Sequence, residues 1–224
     1  MASTEWRNVT GCGNGPLTRK QVLEITPPDD RVRVTDALER TVETGESYNV
    51  QHRIIRPDNG QQRWVEVHAE LIDLEEEGKS LRGFAQDITE RKATEQKLFN
   101  LAHYDNLTGM PNRVLVLDRL QQALKRARRS GSQVAVLFLD LDQFKKVNDT
   151  LGHDAGDRTL MDAASRLQGL SRERDTVARI GGVEFVIVLE EFERVSDVIS
   201  AASKVIDAFH QPLMVSGREF MLTV

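Results

Sequence analysis

Apolar and polar positions alternate most regularly between residues 48 and 74. Tyr48, Val50, His52 and Ile54 fall on one side of a run ending near Arg56. Over Arg63–Leu74, Val65, Val67, Ala69 and Leu71 share one side, and Trp64, Glu66, His68 and Glu70 the other. Period-two alternation predicts half-buried strands. Pro57-Asp58-Asn59-Gly60 between them has turn chemistry, because Asn and Gly tolerate positive φ. A polar loop, Glu75–Lys79, leads to a third strand over Leu81–Asp87, so an antiparallel meander with one buried face is expected. Residues 1–28 carry little pattern: Gly11, Gly13 and Gly15 cluster, Pro27-Pro28 closes the stretch, and one short helix fits Arg19–Ile25. From Asp29 a helix is predicted with Val34, Ala37, Leu38 and Val42 on one face and Gly45 as its stop.

At Asp87 the period changes. Thr89 is a good N-cap and Glu90 suits a first turn, so a helix runs to about Ala102. It is charged, with few apolar positions, which is the pattern of a connector. A second helix fits Val114–Arg129 with Leu115, Leu117, Leu120 and Leu124 facing inward. Strand and helix then alternate. Val134–Leu139 is a continuous apolar run, as for a strand buried on both faces. A helix rich in Lys and Phe follows, then a loop over Gly152–Gly156, a helix to about Leu167, a hairpin over 178–189 and a helix over Val195–Phe209. Phe220–Val224 reads as a strand cut in mid-course, so a continuation is expected.

Composition narrows the class. The 224 residues suit two small domains, and 39% hydrophobic with 29% charged residues is the balance of a chain with a real core. A net charge of −5 gives no basic field to attract nucleic acid or anionic lipid. The single Cys12 can form neither an internal disulfide nor a cysteine-based metal site, which suits a reducing interior. No apolar run is long enough to span a bilayer and no signal-peptide core stands at the start. A cytoplasmic chain is expected.

The chemistry gathers in the second half. Asp140 and Asp142 end an apolar strand in FLDLDQF, where carboxylates can hold a divalent cation facing phosphates. A lone DxD reads equally well as an N-cap and a solvated acid. Here Lys145 and Asn148 follow on a helix, GHDAGD supplies Asp154 and Asp157, and the hairpin supplies Glu184. Together they make a coherent nucleotide site. No Walker-type GxxxxGK is present, so the phosphate cradle must be of another kind.

DNLTGMPNR, FLDLDQFKKVNDTLGHDAGD and RERDTVARIGGVEF resemble, in order and spacing, the GGDEF family of diguanylate cyclases over roughly residues 98–224. The resemblance implies a nucleotidyl-cyclase-like domain with a central sheet flanked by helices. It implies that two GTP molecules are joined into cyclic di-GMP, each subunit of a homodimer presenting one. Mg²⁺ would lie at Asp140, the Leu141 carbonyl and Glu184. The backbone at Gln143, Phe144 and Lys145 would meet the GTP phosphates, and Asn148 and Asp157 the guanine edge. Arg172-Glu-Arg-Asp175, ahead of Gly181, stands where the family carries its RxxD inhibitory site for cyclic di-GMP. An arginine fork can take a phosphate or a guanine edge, and an aspartate can accept from guanine N–H groups.

One position departs from the pattern. The signature is GGVEF, with Val183 where the family has Asp or Glu. Valine offers no lone pair to a metal and accepts no proton. Glu184 remains as the catalytic carboxylate, but adjacent residues of a regular strand point to opposite faces. Weak or lost cyclase activity is expected.

RVRVTDALERTVETG, YNVQHRIIRPDNGQQRWVEVHAELI and GFAQDITERK resemble the latter half of a PAS sensor domain with its exit into a signalling helix, over about residues 29–92. The segment before Asp29 is shorter than that family's opening strands and helices, which argues against a ligand pocket. No residue can be named as a haem or flavin ligand, and Trp64 and His68 read as sheet-face residues. The expected division is an irregular segment 1–28, a partial PAS/PAC domain 29–88, a connecting helix 89–102 and a GGDEF domain 103–224. The fold class is then α+β for the PAS part and α/β for the GGDEF part. The expected function is a cyclic di-GMP signalling protein, impaired as a cyclase, that binds GTP or cyclic di-GMP. Two alternatives stay open: a slow diguanylate cyclase, and a PAS dimerisation module with an inert GGDEF passenger. Family habit also allows a phosphodiesterase domain in a longer parent.

Overall fold

Strong alternation becomes strand in the computed structural model, which describes residues 4–13, 17–74, 78–215, 218–220 and 223–224. The chain divides into two units, Met1–Lys97 and Leu98–Val224. In the first, β1 (Tyr48–Ile55), β2 (Gln62–Leu74) and β3 (Gly78–Asp87) form an antiparallel sheet in that order. The register sets Tyr48 beside Ala69 and Ala69 beside Gly83. Tyr48, Val50, His52 and Ile54 are all buried, as alternation requires. Gly60 supplies the positive φ of 71° that the β1–β2 turn needs. Lys79 lies in β3 rather than in a loop. Gly15 and residues 75–77 of the expected loop lie outside the described residues.

Helices cover the buried face. The stretch expected to hold one short helix holds two, α1 (Thr4–Thr10) and α2 (Arg19–Ile25). Val9 packs with Ile54 and Val65, and Val22 and Leu23 pack on the Val34–Tyr48 cluster. Two apolar residues, Trp6 and Val9, in only seven left α1 without a readable period. α3 (Pro28–Thr44) has Asp29 and Asp30 in its first turn, buries Val34, Ala37 and Thr41, and ends on Gly45 at φ 75°. Val42, expected on the inner face, is 45% exposed.

His52 lies buried in this unit with Nδ1 lacking a hydrogen-bond partner. Burial holds its pKa down, from 6.5 to about 4, against the opposing pull of Asp30 and with the help of Arg33. The folded state thus keeps a neutral imidazole while the unfolded chain takes up a proton below its ordinary pKa. Stability should fall as pH drops from about 6.5 towards 4, read as a lower urea midpoint. His52→Leu should flatten the profile in that window. The Asp30 carboxyl, held low by Arg53, loses its contribution only at more acidic pH.

The sheet hands over to α4 (Thr89–His103) through side chains. Asp87 accepts from Thr89 N at 2.9 Å and pairs with Arg63 at 2.7 Å. Trp64 N donates to Thr89 Oγ1 at 3.0 Å, and Arg91 reaches Glu66 at 3.0 Å. Lys92 and Arg53 lie over the Trp64 ring, and His68 stacks on Phe84 at 5.0 Å. Trp64 and His68 are sheet-face residues. The division between the units falls within α4, none of whose residues is buried.

The second unit comprises α5 (Arg113–Ser130), β4 (Gln133–Asp140), α6 (Phe144–Leu151), α7 (His153–Leu170), β5 (Thr176–Gly181), β6 (Glu184–Phe192), α8 (Val195–Phe209), β7 (Leu213–Val215) and β8 (Arg218–Phe220). An antiparallel sheet of order β4-β6-β5 lies at its centre. On one side Val116 of α5 packs with Ala178, Val186 and Val188. On the other, Leu160, Ala163 and Leu167 of α7 and Val205 and Phe209 of α8 meet Leu141, Phe185 and Ile187. The result is a sheet flanked by helices.

Four expectations change. β4 is an edge strand among the described residues, so Val136 and Phe138 are 37% and 75% exposed rather than buried on both faces. α5 turns Val116, Ala123 and Ala127 inward, while Leu117 and Leu124 are about half exposed; small alanines let the helix sit close to the sheet. The loop expected over 152–156 shrinks to Gly152, at φ 84°, before α7 begins at His153. Of the terminal strand, Phe220 ends β8, Met221 and Leu222 lie outside the described residues, and Thr223 O accepts from Asp142 N at 2.9 Å.

Candidate functional site

Register brings two carboxylates together. Asp140 ends β4 directly opposite Glu184, which starts β6. Opposed residues of an antiparallel pair share a face, and both of these are exposed. Asp142 points its carboxylate elsewhere, accepting from Thr223 Oγ1 at 2.8 Å.

Val183 belongs to a turn, not to a strand. Gly181 pairs with Glu184, so Gly182 and Val183 form the connection, with Gly182 at φ 51°. The strand alternation expected between positions 183 and 184 therefore does not apply here. The valine side chain packs against the main buried cluster of Met110, Leu141 and Phe185, and its carbonyl accepts from Leu141 N at 3.3 Å. Register holds Glu184 opposite Asp140, while position 183 faces the core.

An unforeseen clamp fixes this turn. Arg179 donates to Gly182 O from Nε at 3.1 Å and Nη2 at 2.7 Å, and from Nη1 to Asp105 Oδ1 at 2.8 Å. Asp105 Oδ1 also accepts from Thr108 N at 2.9 Å and Thr108 Oγ1 at 2.7 Å. Burial alone would push its carboxyl up, but Thr108 and Arg179 outweigh it and hold the pKa below the carboxylate range. The DNLTGMPNR stretch thus anchors the hairpin. The Asp-x-x-Thr spacing of a side-chain turn was the only signal for Asp105; Arg179, on a buried strand, had none.

The residues expected to meet the phosphates and the guanine edge sit at the start of α6, on α6 and on α7. Gln143, at φ 59°, turns the chain from β4 into α6, with Phe144 and Lys145 opening the helix. Asn148 Oδ1 is buried without a partner. It faces Gly156 of α7, where an added Cβ would run into Oδ1 and come within 3.1 Å of Phe144 Cζ. Asp157 follows on α7 and is exposed, while Asp154 sits in that helix's first turn. The Asn148 amide thus keeps its place only because Gly156 carries no side chain.

Arg172 and Asp175 bound a turn between α7 and β5. Asp175 N donates to Arg172 O at 3.0 Å, and Asp175 Oδ2 accepts from Arg172 N at 3.1 Å. A cleft of about 120 Å³ beside it is lined by both residues and by Lys204 of α8. Among the described residues no group of three or more His, Cys, Asp or Glu is placed to hold a metal ion, and no helix is long and apolar enough to cross a membrane.

The family described as diguanylate cyclase, GGDEF domain, matches residues 102–224. The chain belongs to the GGDEF family. A PAS fold precedes this GGDEF domain, matching residues 1–84. Diguanylate cyclase TpbB of Pseudomonas aeruginosa is 38% identical over 210 residues, covering 93% of this chain and 45% of that protein. The bifunctional diguanylate cyclase/cyclic di-GMP phosphodiesterase MucR of the same species is 44% identical over 128 residues, 57% of this chain and 18% of that protein. The chain thus spans less than half the length of these curated relatives. Among solved structures, the GGDEF domain of TpbB is 41% identical with a TM-score of 0.52, covering 54% of this chain and 70% of that one. The coiled coil and GGDEF domain of DgcB from Caulobacter crescentus, in complex with c-di-GMP, is 25% identical with a TM-score of 0.55, covering 61% and 73%.

Proposed function

We propose that this chain is a PAS-coupled cyclic di-GMP signalling protein whose GGDEF domain binds guanine nucleotides but converts GTP poorly. The observation that carries this reading is Val183, seated on the core where an acid is needed. Asp140, Glu184 and the Leu141 carbonyl fit a Mg²⁺ that arrives with the nucleotide, because this ion takes one or two carboxylates plus substrate phosphates and keeps several waters. When bound, it would neutralise phosphate charge.

The chain's own groups take the remaining roles. Backbone N–H groups at Gln143, Phe144 and Lys145 open α6 towards the phosphates, with the Lys145 ammonium adding positive charge. The Asn148 amide and the Asp157 carboxylate read the guanine edge, and the orphaned Asn148 Oδ1 supports that role. Nothing at position 183 accepts the proton of an attacking 3′-hydroxyl. Glu184 opposite Asp140 favours a second reading, slow cyclase activity in a homodimer.

Arg172 and Asp175 form the cyclic di-GMP site in this proposal. Calorimetric titration of cyclic di-GMP should show saturable binding that Arg172→Ala weakens at least tenfold, as charge-assisted hydrogen bonds worth about 1.5–3 kcal/mol are lost. Equal affinity in variant and parent would reduce the motif to a charged turn. Failure of both cyclic di-GMP and GTP to bind would sink the whole reading.

A further inference from the structure

β4 leaves one side of the central sheet open. It ends the order β4-β6-β5, and among the described residues no strand pairs with its outer side. Every second residue of an antiparallel edge strand turns its N–H and C=O outward, where they template a further strand. Charge, proline or a bulge within the strand normally blunts such an edge. The run from Val134 to Leu139 has no charge and no proline, and the one register shift lies ahead of it, at Gln133/Val134. The opposite edge is guarded, because Arg179 N on β5 donates to Pro111 O at 3.0 Å.

Side chains add to the backbone. Val134 packs with Val116 and Leu120 of α5, so Val134, Val136, Phe138 and Asp140 share the face that α5 covers. α5 stops short of the edge and leaves Val136 and Phe138 exposed. Charges stand at both ends of this face. Asp140 and Glu184 are exposed at one end. At the other, Arg128 lines an open hollow together with Leu124 and Val134. Its neighbour Arg126 pairs with Glu190, but Arg128 has no ion-pair partner among the described residues.

We propose that β4 pairs antiparallel with β4 of a second copy of this chain, about a two-fold axis at Leu137. That axis sets Val136 of each copy opposite Phe138 of the other, an aromatic–β-branched pair on the exposed face. It also sets Val134 opposite Asp140. Arg128 of one copy, beside Val134, thereby approaches the Asp140–Glu184 carboxylates of the other, and this charge match recurs on both sides of the axis. Pairing uses the open β4 edge of both copies, so association stops at two. The strip is narrow beside the roughly 1,200 Å² of a stable interface, which makes the association micromolar. The pair is independent of the guanine-nucleotide reading and stands or falls separately.

Sedimentation of the whole chain across the micromolar range should show a monomer–dimer equilibrium. Phe138→Lys sets a charge on the open strand and should weaken dimerisation at least about tenfold. The melting temperature of the dilute monomer should hold, because Phe138 is largely exposed. Cross-linking reads the register in a Cys12→Ser background. Opposed Cα atoms of an antiparallel pair lie about 4.5–5.5 Å apart, within reach of a disulfide. Oxidising a mixture of Val136→Cys and Phe138→Cys chains should therefore give mainly mixed dimers, since these positions face each other across the axis. A chain that stays monomeric leaves the edge to some other strand and overturns the proposal. A dimer that Phe138→Lys leaves equally strong lies on another face and overturns it too, as do like-with-like cross-links in place of mixed ones.

Discussion

With GTP and Mg²⁺, the chain should make cyclic di-GMP about 10²–10⁴-fold more slowly than the diguanylate cyclase TpbB assayed beside it, the usual cost of losing a general base. Position 183 faces the cluster around Leu141 and Phe185, so the valine also helps to seat the turn. The Arg179–Asp105 clamp holds the turn carbonyl whatever the side chain at 183 is. Val183→Asp should therefore keep the hairpin, with the aspartate turning away from the Leu141–Phe185 cluster, where an unpaired charge is unfavourable, towards the exposed edge that carries Asp140 and Glu184. Turnover should rise at least about tenfold, as expected when a catalytic base returns, whereas Val183→Ala should bring no such rise. Parent turnover equal to that of TpbB would show that Glu184 and Asp140 suffice.

How much of this was legible depended on whether a residue's role was local. The β1–β2–β3 meander could be read because period two and the Asn-Gly turn both act within a few residues. α3 and its Gly45 stop were legible for the same reason. Edge status is a property of neighbours, so an apolar run such as Val134–Leu139 looks the same at an edge as at a centre. On α5 Leu120 packs on the sheet as the pattern suggested, but Leu117 and Leu124 do not, because close approach to the sheet favours Ala123 and Ala127. At the site, the motif residues announced themselves by spacing, but two arrangements did not. Val183 lies in the turn only because Gly181 pairs with Glu184, a register that spacing does not encode. Arg179 finds Asp105 across 74 positions, a contact beyond any local pattern.

Guanine over adenine should be the site's most marked preference. Asn148 Oδ1 is buried without a partner, and Gly156 leaves room beside it; a buried acceptor of this kind waits for a donor. In the proposed site a guanine edge, with donors at N1 and N2, would satisfy the Asn148 amide and the Asp157 carboxylate together, while adenine, with a donor only at N6, would leave at least one of them unpaired. One neutral and one charge-assisted hydrogen bond sum to about 2–4.5 kcal/mol, so GTP should bind about 30- to 2,000-fold tighter than ATP. Asp157→Ala should remove most of that preference and leave ATP binding almost unchanged, because the start of α6 and Lys145 still meet the phosphates. Gly156→Ala adds one methyl group, but that group collides with Asn148 Oδ1, so the amide must swing away. It should lower GTP affinity without lowering ATP affinity, a pattern that general destabilisation of α7 would not produce. Competition between the two nucleotides at fixed Mg²⁺ measures both variants. Equal affinity of the parent for ATP and GTP would leave the Asn148 acceptor without a purpose and favour the inert passenger.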